Sequence, residues 1–216
     1  VGSISSDFNQ GTIENTGLDL DLAIQGEALP NGGGFFEVVN STTGEVFFTR
    51  AGAFEEDVTG TVVTRDQYRY QLQGVDGPVN LALNDGETLI SRRIEEDGRV
   101  NLIVNLQDAN GGSEDIIRNV GQIRLVNFQS PQYLRRAGNG FYSNGSPGEN
   151  LAGVVDNLIP ANGSNGKLKQ YSLELSNVDL TNEFASMISH QRSFQAGSRV
   201  VTTSDSILQE AINLKR

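Results

Sequence analysis

The last 38 residues, 179–216, carry an apolar repeat that a single helix would set in one line. Apolar side chains recur every seven residues in this segment, at Leu180, Met187, Phe194, Val201 and Leu208. A seven-residue repeat keeps one face of a helix turned toward a partner along a supercoil. At 1.5 Å per residue the helix would be roughly 50 Å long, which is longer than a small domain is wide. The segment is therefore expected to find its partner outside its own chain.

A second row of the same segment is apolar only at its two ends. Phe184 and Ile212 flank three polar positions, Gln191, Ser198 and Asp205. An amphipathic terminal helix also suits packing across the β-core of its own domain, and the repeat alone leaves that interpretation open. The polar middle of the second row favours a helix that is packed in an assembly or is partly hydrated.

Both ends of the segment carry signals of helix termination. Asp179 is the predicted N-cap, because its carboxylate is suited to accept hydrogen bonds from the first free backbone N–H groups. Lys215 and Arg216 place positive charge at the C-terminal end of the helix dipole. We therefore predict a β-rich core domain over residues 1–175 and a helical assembly segment over residues 176–216.

The rest of the chain is predicted to be turn-rich, which gives a mainly β protein with one long C-terminal α-helix. Twenty-five glycines against five prolines indicate many tight turns. Three Asp-Gly pairs, at 76–77, 85–86 and 97–98, are typical of hairpin turns because glycine adopts the positive φ angle they need. Regular strand spacing favours a wrapped or barrel-like sheet. The predicted strands are residues 18–24, 35–39, 46–49, 61–64, 68–73, 88–90, 100–106 and 121–128. Residues 1–16 are expected to be an extended polar lead-in and residues 130–169 a long irregular stretch.

Composition argues against several classes of function. The net charge of −11, with 16 basic residues scattered along the chain, disfavours nucleic-acid binding, which needs Lys and Arg gathered in a patch. No apolar run of about eighteen residues is present, so membrane insertion is not expected. The absence of cysteine removes disulfides, thiol nucleophiles and thiolate metal sites. Residues 1–9 have no basic start followed by an apolar stretch, so no cleaved signal peptide is expected.

No residue pattern supports a catalytic, cofactor or metal site. The single histidine, His190, lies within the predicted helix between Ser189 and Gln191, where a lone histidine is typical of a surface or interface residue and not of a Ser-His-Asp triad. Asp19 and Asp21 alternate with leucines, which is typical of the solvent-facing side of a strand. The three glycines 32–34 precede a strand, whereas a phosphate-binding loop leads into a helix. We expect no cofactor, no metal and no enzyme activity; a hydrolase with two converging carboxylates is the enzymatic alternative.

Two segments, one near each end of the sequence, match the pattern of a known family. The first comprises residues 8–26 (FNQGTIENTGLDLDLAIQG), 34–38 (GFFEV) and 48–54 (FTRAGAF). The second begins at 174–180 (ELSNVDL) and continues along the predicted helix to Leu208-Gln209. The family pattern has a Gln-Gly turn, a Leu-Asp-x-Ala-Ile strand, Gly-Phe-Phe, Thr-Arg-x-Gly-x-Phe and a closing helix. In these features the sequence resembles the bacterial flagellar hook and rod proteins of the axial filament.

The resemblance implies an assembly of like subunits. In this family the C-terminal helix pairs with a long N-terminal helix in an inner coiled coil, and that N-terminal helix is expected to be missing here. The β-domain would form the outer wall through lateral contacts between copies. The implied partners are other copies of this chain, other axial proteins (rod, hook cap and hook–filament junction) and the flagellar export apparatus, through which subunits pass unfolded. The implied location is the extracellular hook or the periplasm-spanning rod.

Within the family, the segments 182–184 (NEF) and 214–216 (LKR) look closer to hook subunits. We therefore predict a structural subunit of the hook, which self-assembles into a tubular universal joint and transmits motor torque to the filament. The middle of the chain is short for the outer domain that many hook proteins insert, so a distal-rod or other hook–basal body rod protein is the alternative. A β-domain that binds a glycan or a surface protein is a remote alternative. The predicted assembly interface comprises Leu180, Phe184, Met187, Ile188, Phe194, Val201, Leu208 and Ile212.

Overall fold

The protein is described by a computed structural model that covers residues 7–26, 33–107, 113–145, 152–154, 159–161 and 165–213. The chain divides into two compact units, Val1–Ser176 and Asn177–Arg216. The first unit holds all the β-strands of the described residues, and the second holds one α-helix. The mainly β fold with a single long C-terminal helix is thus as predicted from the sequence.

The described residues of the β-unit form sixteen strands arranged in four sheets. They are β1 (Ile13–Asn15), β2 (Leu22–Gln25), β3 (Phe35–Val39), β4 (Val46–Thr49), β5 (Phe54–Glu56), β6 (Val62–Thr64), β7 (Gln71–Gly74), β8 (Gly77–Pro78), β9 (Glu87–Ile94), β10 (Arg99–Gln107), β11 (Ser113–Gln122), β12 (Leu125–Val126), β13 (Arg135–Gly138), β14 (Phe141–Ser143), β15 (Lys167–Gln170) and β16 (Ser172–Glu174). A short 3₁₀-helix spans Pro131–Tyr133.

The largest sheet has nine strands and is built around the β3–β4 hairpin. Its main order is β13-β14-β4-β3-β7-β6-β5, with β12 added to β3 and β8 added to β7. The predicted strands 35–39 and 46–49 are confirmed, and they form a hairpin through residues 41–44. Gly44 has a φ of +74°, and its N–H donates to the Asn40 carbonyl at 2.8 Å. The expected barrel-like closure is wrong, because β13 and β5 stand at opposite ends of the sheet. Closure would require a first and a last strand that pair with each other.

A separate three-stranded antiparallel sheet runs in the order β11-β10-β9. Its β9–β10 hairpin turns at the predicted Asp97-Gly98 pair, where Gly98 has a φ of +83°. Sequence analysis missed most of β11, because Glu114, Asp115 and Asn119 interrupt its hydrophobic pattern. Strand β11 exists because it pairs along β10 from Gln107 opposite Ser113 to Arg99 opposite Gln122.

Two apolar cores lie on opposite sides of strand β3. Phe36 belongs to a core that includes Leu22, Phe54 and Leu102, whereas its neighbour Phe35 belongs to a second core. Successive side chains of a strand point to opposite faces, so the Gly-Phe-Phe pattern supplies one ring to each core. The second core is aromatic: it contains Phe35, Phe48 and Phe128, with Phe8 packed against it.

The prediction that Asp21 faces solvent is wrong. Asp21 is 1% exposed, and its two carboxylate oxygens accept hydrogen bonds from Arg65 Nη2 and Thr16 Oγ1, both at 2.7 Å. The alternating segment is not one strand, because the chain turns before β2 begins at Leu22. Leu22, Ala23 and Ile24 are all buried, so β2 is covered on both faces and its flanking carboxylate is buried with it.

Strands near the two ends of the β-unit pair with each other. Strand β1 runs antiparallel to β16, with Ile13 opposite Glu174, and β15 pairs with β2. The chain changes partner at Tyr171, whose φ is +62° and whose carbonyl accepts the Thr16 N–H at 2.7 Å. The expected extended polar lead-in therefore includes a paired strand, β1. The expected irregular stretch contains β13 and β14, because pairing with β4 compensates for weak local signals. No helix among the described residues combines the length and apolar character needed to cross a membrane.

Candidate assembly interface

The C-terminal helix, α1, spans Leu180–Asn213 and begins at the predicted cap. Asp179 Oδ1 accepts the backbone N–H of Thr181 at 2.8 Å, and the Asp179 carbonyl accepts the N–H of Glu183 at 3.1 Å. The first bond satisfies an N–H group that has no backbone partner in the first helical turn, and the second is the first regular backbone bond of the helix. The predicted N-cap is confirmed. The predicted basic end at Lys215 and Arg216 lies outside the described residues.

The eight residues predicted for the assembly interface all lie on α1, and all are exposed. Their exposed fractions range from 51% at Ile188 to 80% at Phe194. No residue of α1 is buried. Full burial of an apolar side chain of this size contributes about 1.5–3 kcal/mol relative to leaving it in water. Burial of these eight side chains against another molecule would therefore contribute strongly to binding.

Two further apolar residues extend the exposed surface and were missed by the sequence analysis. Val200 and Ile207 are 65% and 61% exposed. They stand one residue before Val201 and Leu208, so they repeat the seven-residue spacing on an adjacent row. That spacing was the signal available in the sequence. The pairs widen the apolar stripe in the C-terminal half of the helix.

Three hydroxyl groups of α1 donate hydrogen bonds to backbone carbonyls of the helix itself. Thr202 Oγ1 donates to the Arg199 carbonyl at 2.9 Å, Thr203 Oγ1 donates to the same carbonyl at 2.8 Å, and Ser206 Oγ donates to the Thr202 carbonyl at 2.7 Å. A buried polar group is costly only when it lacks a partner. These hydroxyls therefore tolerate burial against another molecule without requiring a new hydrogen bond.

Gly197 lies inside the continuous helix α1, between Phe194 and Val201, and provides a test of helix stability. A Cβ added at Gly197 would have no atom within 4 Å outside the helix's own backbone. Glycine in a helix interior costs about 0.5–1 kcal/mol relative to alanine. We expect Gly197→Ala to stabilise α1 by about that amount, seen as stronger negative ellipticity at 222 nm and later thermal loss of helix. A variant with less helix than the parent would contradict this expectation.

The motif residues of the β-unit have structural roles. The Arg50 guanidinium donates from Nε and Nη2 to Glu174 Oε2 at 3.0 and 2.7 Å, and from Nη1 to the Gly34 carbonyl at 2.9 Å. Thr49 Oγ1 donates to the Gly140 carbonyl at 3.1 Å, and Phe54 is a core residue. Gly52 lies against the backbone of Leu22, whose N–H bonds to the Gly52 carbonyl at 3.0 Å. The Thr-Arg-x-Gly-x-Phe pattern therefore joins distant strands.

The described residues form no group of three or more His, Cys, Asp or Glu side chains placed to hold a metal ion. His190 is exposed on α1. Asp19 and Asp21 each form an ion pair with a different arginine: Asp19 with Arg92 at 3.2 Å, and Asp21 with Arg65 at 2.7 Å. Glu37 is a buried carboxylate whose pKa is raised by burial and partly lowered again by Arg124. Glu37 Oε2 lies 3.2 Å from Arg124 Nε, so this carboxylate is part of a structural ion pair.

Comparison with known proteins agrees with this arrangement. Residues 169–214 match the profile described as flagellar basal body rod FlgEFG protein C-terminal, and residues 30–102 match the flagellar hook protein FlgE/F/G D1 domain. The chain is similar to the flagellar basal-body rod protein FlgG of Bacillus subtilis, at 37% identity over all of this chain and 72% of that protein. It is 32% identical to FlgG of Borreliella burgdorferi, over 97% of this chain and 69% of that protein.

The hook protein FlgE of Caulobacter vibrioides is also similar, but over a smaller part of its length. It is 32% identical over 148 residues, which are 68% of this chain and 23% of the hook protein. Proteins of this family are structural components of the flagellum, in the periplasmic rod or the extracellular hook, and they assemble with copies of themselves and with other axial proteins. The 37% identity to the Bacillus subtilis rod protein over the whole chain, together with the two profile matches, shows that the chain belongs to the bacterial flagellar hook and rod family of axial proteins.

Proposed function

We propose that this chain is a subunit of the distal rod, the straight axial segment of the flagellar basal body. The sequence analysis preferred the hook, and the relatives favour its rod alternative. Similarity to FlgG proteins extends over nearly the whole chain and about 70% of each relative, whereas similarity to the hook protein covers 23% of that protein. The residues that suggested a hook subunit, 182–184 and 214–216, lie in or beside a C-terminal segment whose profile is common to hook and rod proteins.

The observation that carries the proposal is the uncovered apolar row of α1. Leu180, Met187, Phe194, Val201 and Leu208 repeat at seven-residue spacing and are all more than half exposed. In this proposal the row packs against helices of other subunits in the inner wall of a tube. The other five apolar positions, Phe184, Ile188, Val200, Ile207 and Ile212, complete the same contact.

The proposed partners follow from the same role. Other copies of this chain cover the helix, and other axial proteins meet the two ends of the polymer. The flagellar export apparatus carries the subunit before assembly, with the helix still unfolded, since a helix without its tertiary contacts is only marginally stable in water. The polymer transmits torque through contacts between subunits, which need no catalytic pocket.

Phe194→Ala and Leu208→Ala, made separately in the chromosomal gene of the source bacterium, test this proposal. Each change removes a side chain worth about 1.5–3 kcal/mol on burial, so association through α1 should weaken at least about tenfold. Swimming in soft agar and electron microscopy of isolated basal bodies measure the result. We expect cells that stop swimming and basal bodies with rings and a truncated rod.

Arg192→Ala is the matched control, since at 100° per residue Arg192 lies roughly 160° around the helix from both Phe194 and Leu208. It should leave rods and swimming as in the parent strain. Complete rods without hooks in the Phe194 and Leu208 variants would return the assignment to the hook. Parental swimming in both variants would remove the role of α1 in assembly. Thermal unfolding of the purified variants should show an unchanged β-unit.

A further inference from the structure

The outward face of the β9-β10-β11 sheet carries a row of three isoleucines. Ile103 lies opposite Ile117 in the pairing of β10 with β11. Ile90 is the extra residue at the bulge of β9, since Ile103 pairs with Ser91 and Val104 pairs with Leu89. Neighbouring strands lie about 4.8 Å apart, so the three side chains extend over about 10 Å. Ile117 is 73% exposed and Ile90 is 52% exposed.

Hydrogen-bonded polar side chains border this row on both sides. Asn119 Nδ2 donates to Asn101 Oδ1 at 2.9 Å on one side of Ile103. Asn105 Nδ2 donates to Asp115 Oδ1 at 2.7 Å on the other side. An apolar centre with a polar border of satisfied side chains is the usual anatomy of a protein–protein interface. We call these seven residues, Ile90, Asn101, Ile103, Asn105, Asp115, Ile117 and Asn119, the isoleucine face.

The opposite side of the same sheet is already covered. Leu102 and Val104, which alternate with Ile103 along β10, are fully buried in the main core. Ile116, next to Ile117, is packed against that core. The isoleucines of the outward face therefore add nothing to the core of the β-unit, and their exposure has to be explained by something outside it.

Charge favours a second copy of this chain as the occupant. The chain has a net charge of −11, so two copies repel each other over most of their surface. The isoleucine face holds one carboxylate, Asp115, which is bonded to Asn105, and the neighbouring Arg93 is paired with Glu95 at 3.0 Å. Contact between two like, acidic molecules is least opposed where charges are few and already paired.

We propose that the isoleucine face is a contact between copies of this chain, separate from the contact made by α1. The inference rests on the proposed function, because a rod is a polymer of like subunits. An open helical polymer is built from heterologous contacts, in which one patch meets a different patch of the next copy. The isoleucine face is one of these two patches, and it lies on the β-unit, where it would hold neighbouring subunits together.

In-cell photo-cross-linking tests this inference. The codon for Ile117 is changed so that p-benzoylphenylalanine is incorporated, and cells with assembled basal bodies are irradiated. We expect a cross-linked species of twice the subunit mass, with mass spectrometry finding peptides of this sequence on both sides of the link. Thr42, exposed in the β3–β4 turn, is the control position, and its yield of dimer should be at least about fivefold lower.

A second variant tests whether the isoleucine face is needed for assembly, since a cross-link alone shows only that two subunits lie close together. Ile117→Lys should leave the thermal unfolding of the purified protein unchanged, because the side chain is largely exposed, and should reduce assembled rods at least fivefold. Cross-links only to a different protein, or none above the Thr42 control, would overturn the inference. So would parental rods in Ile117→Lys cells. Those results leave the proposed function standing if Phe194→Ala still stops rod assembly, whereas normal rods in the Phe194→Ala strain would count against the proposed function.

Discussion

Replacing Gly52 by alanine is expected to prevent the β-unit from folding. An ideal Cβ at Gly52 would lie 1.7 Å from the Leu22 carbonyl oxygen and 2.7 Å from its carbonyl carbon. Both are backbone atoms of β2, which is buried on both faces, so neither segment has room to move aside. We expect a loss of more than about 4 kcal/mol in the free energy of unfolding, which is exceptional for one methyl group.

Circular dichroism and chemical denaturation of purified Gly52→Ala measure this effect. Gly44→Ala is the control in the same unit, since Gly44 has a φ of +74° but no atom within 4 Å of an added Cβ. Its cost should be about 1–2 kcal/mol, from backbone strain alone. A Gly52→Ala protein that unfolds at nearly the parental denaturant concentration would show that β2 and the Arg50–Phe54 segment are not packed as described.

Structures set by local signals could be predicted from the sequence. Strands β3 and β4 were predicted because two short runs of aromatic and β-branched residues flank a turn that contains Gly44. The helix was predicted because a cap, Asp179, is followed by an uninterrupted seven-residue repeat. The same repeat predicted which apolar residues share one face of α1. It did not include Val200 and Ile207, which are exposed on the adjacent row.

Structures set by distant contacts could not be predicted in this way. Strand β1 is polar and short, and it is a strand because it pairs with residues about 160 positions later, at β16. Asp21 was expected in water because its neighbours alternate, but Arg65, 44 residues away, allows its carboxylate to be buried. The assembly residues stay a prediction made from the helix alone, because no part of the chain that the structure describes buries them. The proposal of rod over hook rests on the length of the region shared with relatives, which a single sequence does not show.

The ion pair between Arg50 and Glu174 is a contact of this long-range kind, spanning 124 residues. Its side chains are only 14% and 9% exposed. Glu174 Oε1 also accepts the Gly11 N–H at 2.8 Å, and the Arg50 guanidinium lies 5.9 Å from the Phe35 ring centre. One ion pair thus connects the loop after β4, the N-terminal segment and β16, the last strand before the helical unit.

Arg50→Ala is expected to destabilise the β-unit by about 3–5 kcal/mol, because it leaves the Glu174 carboxylate buried without its cation. Arg69→Ala removes the exposed Arg69–Glu55 pair, whose side chains are 49% and 37% exposed, and should cost at most about 1 kcal/mol. Denaturant unfolding at matched pH and ionic strength gives both values. An Arg50→Ala loss no larger than that of Arg69→Ala would mean that solvent reaches Glu174.

A double variant separates the strength of the pair from the cost of a lone charge. Removing one partner leaves a buried charge uncompensated, whereas removing both leaves none, so Arg50→Met combined with Glu174→Leu should recover a large part of the loss. Recovery of the free energy of unfolding would indicate that apolar side chains stabilise this site nearly as well as the Arg50–Glu174 ion pair does. The main role of the ion pair would then be to determine which segments pack together. The double variant could instead lose as much stability as Arg50→Met and Glu174→Leu lose when added together. In that case the bonds from Arg50 to the Gly34 carbonyl and from the Gly11 N–H to Glu174 hold these segments together, and the ion pair between Arg50 and Glu174 does not.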